Sequence, residues 1–217
     1  MRSKIGRINW IGNEIMAERV IEVFHGTFME KINDIFVNGF KYKHNIEHWL
    51  GQGFYFYTEF ELAKWWSEKK VEYEKVNNNN DYNVAVIKAD IIANTDNILN
   101  LDIPKELDYF VDFIKDYLKL MKEDNLSIKF DKNKSNETRC FFLDIIKKER
   151  DLFVIIKTFE KENPTYGKYN LRELSAEIEL GLKYKETQIC VSRNKLIYNK
   201  KCEYAEENIN AEKIVGK

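Results

Sequence analysis

Residues 23–66 read VFHGTFMEKINDIFVNGFKYKHNIEHWLGQGFYFYTEFELAKWW. This stretch carries one plan twice, an extended segment feeding a helix. Val20–Phe24 is apolar and β-branched apart from Glu22, so it reads as a strand that His25-Gly26 ends. Thr27 and Glu30 have capping-box spacing, and the helix they open puts Ile32, Ile35 and Phe36 on one face before Gly39 stops it. Lys41–His48 is a polar loop. Trp49-Leu50-Gly51-Gln52-Gly53 is a glycine turn, and Phe54–Tyr57 is extended. Thr58 and Glu61 repeat the capping spacing, and the next helix aligns Leu62, Trp66, Tyr73 and Val76.

Working outward, Glu14–Arg19 fits a helical turn. Asn77–Asn80 reads as a loop, Asn83–Ile92 as a strand and Asn97–Leu101 as a short one. Pro104–Met121 has the clearest helical period, with Leu107, Phe110, Val111, Ile114, Leu118 and Met121 on a core-facing stripe. Lys129–Asn136 is a charged loop, Thr138–Lys148 a helix and Asp151–Phe159 a strand. Asn163–Asn170 is a turn region, Leu171–Leu182 a helix, and Glu186–Ser192 and Lys195–Tyr198 are strands. Strands and helices alternate without βαβ regularity, which predicts an α+β fold with a mixed or mostly antiparallel sheet. The length of 217 residues predicts one domain over 1–217, with residues 205–217 as a frayed, charged tail.

Lys+Arg 35 against Asp+Glu 36 leaves a net charge of -1, which argues against a whole-protein field that gathers nucleic acid. The paired lysines Lys69-Lys70, Lys147-Lys148 and Lys200-Lys201 read as solvated faces. Cys140, Cys190 and Cys202 are odd in number and widely spaced, so neither a disulfide framework nor a zinc knuckle is expected. His44 and His48 lie in a polar loop without further ligands, so no metal site is expected. No apolar run approaches the ~20 residues of a membrane span, and no signal peptide is visible. The expectation is a soluble, cytoplasmic protein without membrane contact.

Two features of the opening stretch can carry chemistry. A strand-end His25 beside Gly26 can meet a ligand with its ring and with bare backbone. A structural histidine at a strand–helix junction is the plainer reading, and capping alone accounts for Thr27. Gly51-Gln52-Gly53 is not a phosphate loop, since no Lys-Ser/Thr follows it. The period of a strand sends Phe54 and Phe56 to one face and Tyr55 and Tyr57 to the other, so one pair can be core and the other pair site.

Together, His-Gly-Thr, a Gly-Phe, a polar link, Leu-Gly-x-Gly-Phe-Tyr-Phe and a helix with Ala63 and an aromatic resemble the NAD-binding half of the ADP-ribosyltransferases. The likeness is to the poly(ADP-ribose) polymerase or diphtheria-toxin branch with its His-Tyr-Glu triad, and it covers roughly residues 20–72. The resemblance implies a split pair of mixed or antiparallel sheets around a central NAD cleft, with flanking helices. It implies that His25 bonds the nicotinamide ribose, Gly26 grips the carboxamide, Tyr55 stacks on nicotinamide and Trp65 or Trp66 is the second aromatic. Thr27 and Gly53 fall in the same cofactor-binding set. NAD is the implied substrate, with no metal.

The third triad member of the family stands at the start of a late strand. Here that strand reads Glu186-Thr187-Gln188-Ile189-Cys190-Val191, with Gln188 at the usual catalytic position and Glu186 two residues before it. Either Glu186 acts in a shifted register, or Gln188 marks a changed chemistry. Glu177 and Glu179 form a Glu-x-Glu within a predicted helix and read as structural. Glu160 is an outside candidate. The resemblance implies transfer of ADP-ribose from NAD to a protein or nucleic acid, as a bacterial toxin, toxin–antitoxin component or anti-phage effector, with an antitoxin or immunity protein as a partner. The alternatives are a catalytically silent NAD- or nucleotide-binding module and an RNA 2′-phosphotransferase-like enzyme.

Overall fold

The computed structural model describes residues 5–11, 14–126, 129–131, 133–161 and 183–206. Eight strands form one sheet: β1 (Ile5–Ile11), β2 (Glu14–Phe28), β3 (Phe54–Tyr57), β4 (Val84–Asn94), β5 (Ile98–Asn100), β6 (Val154–Lys161), β7 (Tyr184–Val191) and β8 (Ile197–Ala205). The helices are α1 (Ile32–Asn38), α2 (Phe60–Asn78), α3 (Pro104–Glu123) and α4 (Ser135–Glu149). The strand order is β5-β6-β7-β3-β2-β4-β8, with β1 paired to β2. Among the described strands only β5 and β6 run parallel, so the expected α+β fold with a mixed, mostly antiparallel sheet is borne out.

The sheet is nearly divided at one place. β2 pairs with β4 from Glu18 to Phe28, and β3 pairs with β7 over its whole length. Between β2 and β3 the register holds only Phe24 opposite Tyr57. Where the resemblance implied a split pair of sheets, the described strands form one sheet, joined here through that single residue pair.

Several local expectations give way to long-range pairing. Glu14–Arg19 is not a helical turn but the start of β2, pairing with β1. His25-Gly26 does not end the strand, because Val84–Asn94 supplies an antiparallel partner as far as Phe28 opposite Val84. Thr27 therefore stays in the strand, and its carbonyl accepts a bond from the Ser67 hydroxyl. The chain enters α1 through a 3-10 turn at Met29–Lys31 without a side-chain cap. The second capping box is also unformed, since Glu59 is the N-cap of α2 without a side-chain bond to the helix and the Thr58 hydroxyl donates to Glu59 at 2.7 Å. Gly39 does stop α1, with φ 80 and its N–H on the Ile35 carbonyl at 3.1 Å.

The two faces of the sheet are covered unequally. Val23, Phe54, Phe56, Ile87 and Ile91 pack with Ile35 of α1 and with Phe40 on one side. On the other side, Leu99, Ile155 and Cys190 pack under Phe110 of α3 and Phe142, Leu143 and Ile146 of α4. Tyr57 and Val86 pack there under Leu62 and Ala63 of α2. The expected division of Phe54 and Phe56 from Tyr55 and Tyr57 is therefore found. The stripe on α2 is shorter than its period implies, because Tyr73 and Val76 are exposed. On α3, Leu107 and Val111 are exposed, and Phe113 is buried beside Phe110. Ala205 closes β8, so the chain is still in the sheet where a frayed tail was expected to begin. The expected helix at 171–182, with Glu177 and Glu179, lies outside the described residues.

Candidate functional site

A cleft of about 640 Å³ opens on the α2–α4 side of the sheet. Its lining includes Tyr55 and Tyr57 of β3, Gln188 of β7, and Trp66 and Lys70 of α2. The loop residues His48 and Trp49 and residues 133–137 at the start of α4 complete it. The register explains the floor. Tyr57 lies directly opposite Gln188 and Tyr55 opposite Cys190, and facing residues of an antiparallel pair project to the same side.

The indole of Trp66 is parallel to the ring of Tyr57, with centroids 6.3 Å apart and 10° between planes. Trp65 stands edge-on to it at 5.0 Å and 85°, and is not part of the cleft lining. Of the two tryptophans, Trp66 is the one that lines the cleft. Its Nε1–H is buried and has no hydrogen-bond partner among the described residues.

Tyr55 lines the cleft with its ring and ties its hydroxyl to the glycine turn. It accepts the Leu50 N–H at 2.7 Å and donates to the Gly51 carbonyl at 2.9 Å. Burial drives its phenol pKa far above the usual value. The turn is clasped from behind by α4. Gly51 has φ 77, and a Cβ there would stand 2.5 Å from Asp144 Oδ1 and 2.7 Å from Lys147 Nζ. The Lys147 ammonium donates to the carbonyls of Leu50 and Gln52, both at 2.9 Å, and Asp144 accepts the Gln52 N–H at 2.6 Å. Lys147 is buried, so the expectation of a solvated Lys147-Lys148 face is corrected: three acceptors around the turn, including Cys190 Sγ at 3.4 Å, draw it inward. Gly53 packs against Cys190 and Val191 and does not line the cleft.

His25 is partly buried behind the floor. Its Nδ1 donates to the Tyr55 carbonyl at 2.7 Å, and its ring packs against Phe40 and Phe56 at centroid distances of 4.9 and 5.5 Å. Burial, with the charge of Lys70 adding to it, pushes its pKa down to about 3. It is therefore a neutral imidazole with its proton on Nδ1. Gly26 lies directly under α2, where a Cβ would meet the Ala63 carbonyl oxygen at 2.0 Å. Its own carbonyl accepts the Lys70 ammonium at 3.3 Å. Lys70 exposes much of its side chain, but its charged end turns in at this contact, and desolvation lowers its pKa.

Glu186 is 1 % exposed, on the same face of β7 as Gln188. Burial, and then the nearby Glu186 carboxylate, raises the Tyr57 phenol pKa. Of the residues singled out in the sequence, Tyr55, Trp66 and Gln188 meet in the cleft. His25, Gly26, Thr27, Gly53, Trp65 and Glu186 lie outside its lining. Glu160 is exposed and pairs with Lys185 at 3.9 Å. Sequence reasoning missed Lys70, although its position one helical turn after Trp66 was readable.

Aromatic faces, a neutral amide and an ammonium suit a flat ring joined to polar and anionic groups. Among the described residues no group of His, Cys, Asp and Glu could hold a metal, and no helix is long and apolar enough to cross a membrane. Comparison with family models, curated proteins and solved structures gives no match.

Proposed function

We propose that the cleft binds NAD and that the chain transfers ADP-ribose to a macromolecular acceptor. The observation that carries the reading is the strand order β7-β3-β2. It sets side by side the three strands that bear Gln188, Tyr55 and His25, drawn from distant parts of the chain. This adjacency is what the resemblance to the ADP-ribosyltransferases requires, and the cleft opens where two of the three strands meet.

In this reading the planar part of NAD stacks in the aromatic part of the cleft beside Trp66. Gln188 hydrogen-bonds a ribose hydroxyl. The bond between nicotinamide nitrogen and ribose C1′ breaks, and its electron pair leaves with nicotinamide. Positive character on the ribose is stabilised by the Glu186 carboxylate, which acts from behind Gln188 through a low-dielectric interior. A nucleophile of the acceptor then bonds to C1′ and loses its proton. His25 supports the floor through the Tyr55 carbonyl. The acceptor is a protein or nucleic acid, and the setting is a toxin or anti-phage effector held in check by an inhibitor protein.

The silent NAD-binding module is the second reading. It is favoured by one observation, that His25 and Glu186 both lie outside the cleft lining while the residue inside it, Gln188, is uncharged. Nicotinamide release separates the two. Under the first reading the purified chain with NAD liberates nicotinamide, and Gln188→Ala and Glu186→Gln lower the rate. Saturable NAD binding without nicotinamide release selects the silent module. Absence of NAD binding rejects both.

A further inference from the structure

We infer that Lys70 is the phosphate-binding residue of the cleft, holding a phosphate of the dinucleotide while Trp66, one turn earlier on α2, holds a ring. The inference rests on the reading of the cleft as an NAD site and adds the residue that reads the anionic part of the ligand.

Among the described residues, Glu47, Lys70, Lys134 and Glu137 are the charged side chains that line the cleft. Lys134 and Glu137 neutralise one another at 2.7 Å. Glu47 is exposed on the loop. Lys70 has no carboxylate within ion-pair distance among the described residues, unlike Lys64, Lys69 and Lys75 on the same helix. Its ammonium instead makes a long bond of 3.3 Å to the Gly26 carbonyl. One neutral acceptor leaves most of the hydrogen-bonding capacity of an ammonium unused. A partly desolvated ammonium without a counter-charge is poised for an anion, because the anion supplies both the charge and the missing acceptors.

Position then selects the kind of anion. Trp66 and Lys70 are four apart, so both side chains leave one face of α2, and both residues line the cleft. A ligand spanning both joins a flat ring to a negative group, and a nucleotide is the chemical class that does so.

The test uses the full chain and a graded set of probes: nicotinamide riboside, nicotinamide mononucleotide, NAD and ADP, titrated by calorimetry against wild type, Lys70→Gln and Lys70→Arg. The inference expects Lys70→Gln to weaken the mononucleotide and NAD by about tenfold or more, the scale of a lost charge-assisted bond. The riboside, which has no phosphate, should change less than about twofold, and Lys70→Arg should keep most of the affinity, since the charge persists. Equal affinity of Lys70→Gln and wild type for NAD overturns the inference and leaves the NAD reading intact. An equal loss for riboside and mononucleotide also overturns it, because Lys70 then supports the ring site. Wild type that binds ADP but not NAD overturns the NAD reading, and loss of that ADP binding in Lys70→Gln keeps the phosphate assignment. Wild type that binds no phosphate-bearing probe overturns both.

Discussion

The indole of Trp66 and the phenol ring of Tyr57 lie parallel at 6.3 Å, although one belongs to α2 and the other to the strand that feeds it. Tyr57 is nearly buried, so the pair anchors the indole to the floor of the cleft. Trp66→Ala removes the larger plate and should weaken NAD by roughly 10- to 100-fold, the scale of about 1–3 kcal/mol for stacking on an aromatic side chain. Trp66→Phe should keep most of it. Titration of NAD against both variants checks this, and equal losses would show that ring shape rather than stacking matters.

The clasp on the glycine turn gives a stability prediction. Lys147→Met keeps the stem but leaves the Leu50 and Gln52 carbonyls without their buried donor. A loss of about 2–4 kcal/mol is expected, read from urea midpoints at constant slope. Gly51→Ala should also destabilise, because φ 77 and the contact with Asp144 both oppose a Cβ. A Lys147→Met variant as stable as wild type would show that water replaces the ammonium.

His25 predicts a pH dependence. Its folded pKa of about 3 lies below the model-compound value of 6.5, so between these values the unfolded chain binds a proton that the folded chain refuses. Stability from this group is complete above pH 6.5 and is lost as pH falls from there toward 3. Between pH 7.5 and 5.5 wild type should lose about 1 kcal/mol that His25→Asn does not lose. Urea melts of both proteins at the two pH values test it. Parallel losses would place the acid sensitivity elsewhere.

Glu186 and Gln188 are both buried, and only Gln188 lines the cleft. Gln188→Glu puts a carboxylate in the cleft lining and should raise the rate of nicotinamide release. Glu186→Gln, at a buried site, should lower the rate with little change in the KM for NAD. A KM change without a kcat change in Glu186→Gln would mean that it supports binding only.

Much of the frame was legible locally. The aromatic alternation at Phe54–Tyr57 sorted its four rings correctly because a strand has period two whatever it packs against. The extent of β2 was not legible, since His-Gly and Thr-x-x-Glu are local signals and β4, some sixty residues later, overrides them with a full ladder. Gly12-Asn13, a hairpin signal before Glu14, was the available hint that Glu14–Arg19 is extended. Lys147 looked like a surface lysine because its burial depends on the carbonyls of a turn 95 residues away. The site was partly readable: Tyr55 and the Trp65-Trp66 pair fell on suitable elements, whereas Lys70 read as part of a solvated face. Which of Glu186 and Gln188 reaches the cleft depends on position along β7, and strand parity treats the two alike.

Transfer of ADP-ribose is read by incubating the protein with NAD labelled in its adenylate half and a cell lysate, then treating with protease or nuclease. Wild-type-dependent label should appear on a macromolecule, be removed by one of the two treatments and fall greatly in Trp66→Ala and Gln188→Ala. Label that remains entirely as free NAD at full wild-type occupancy would contradict transfer.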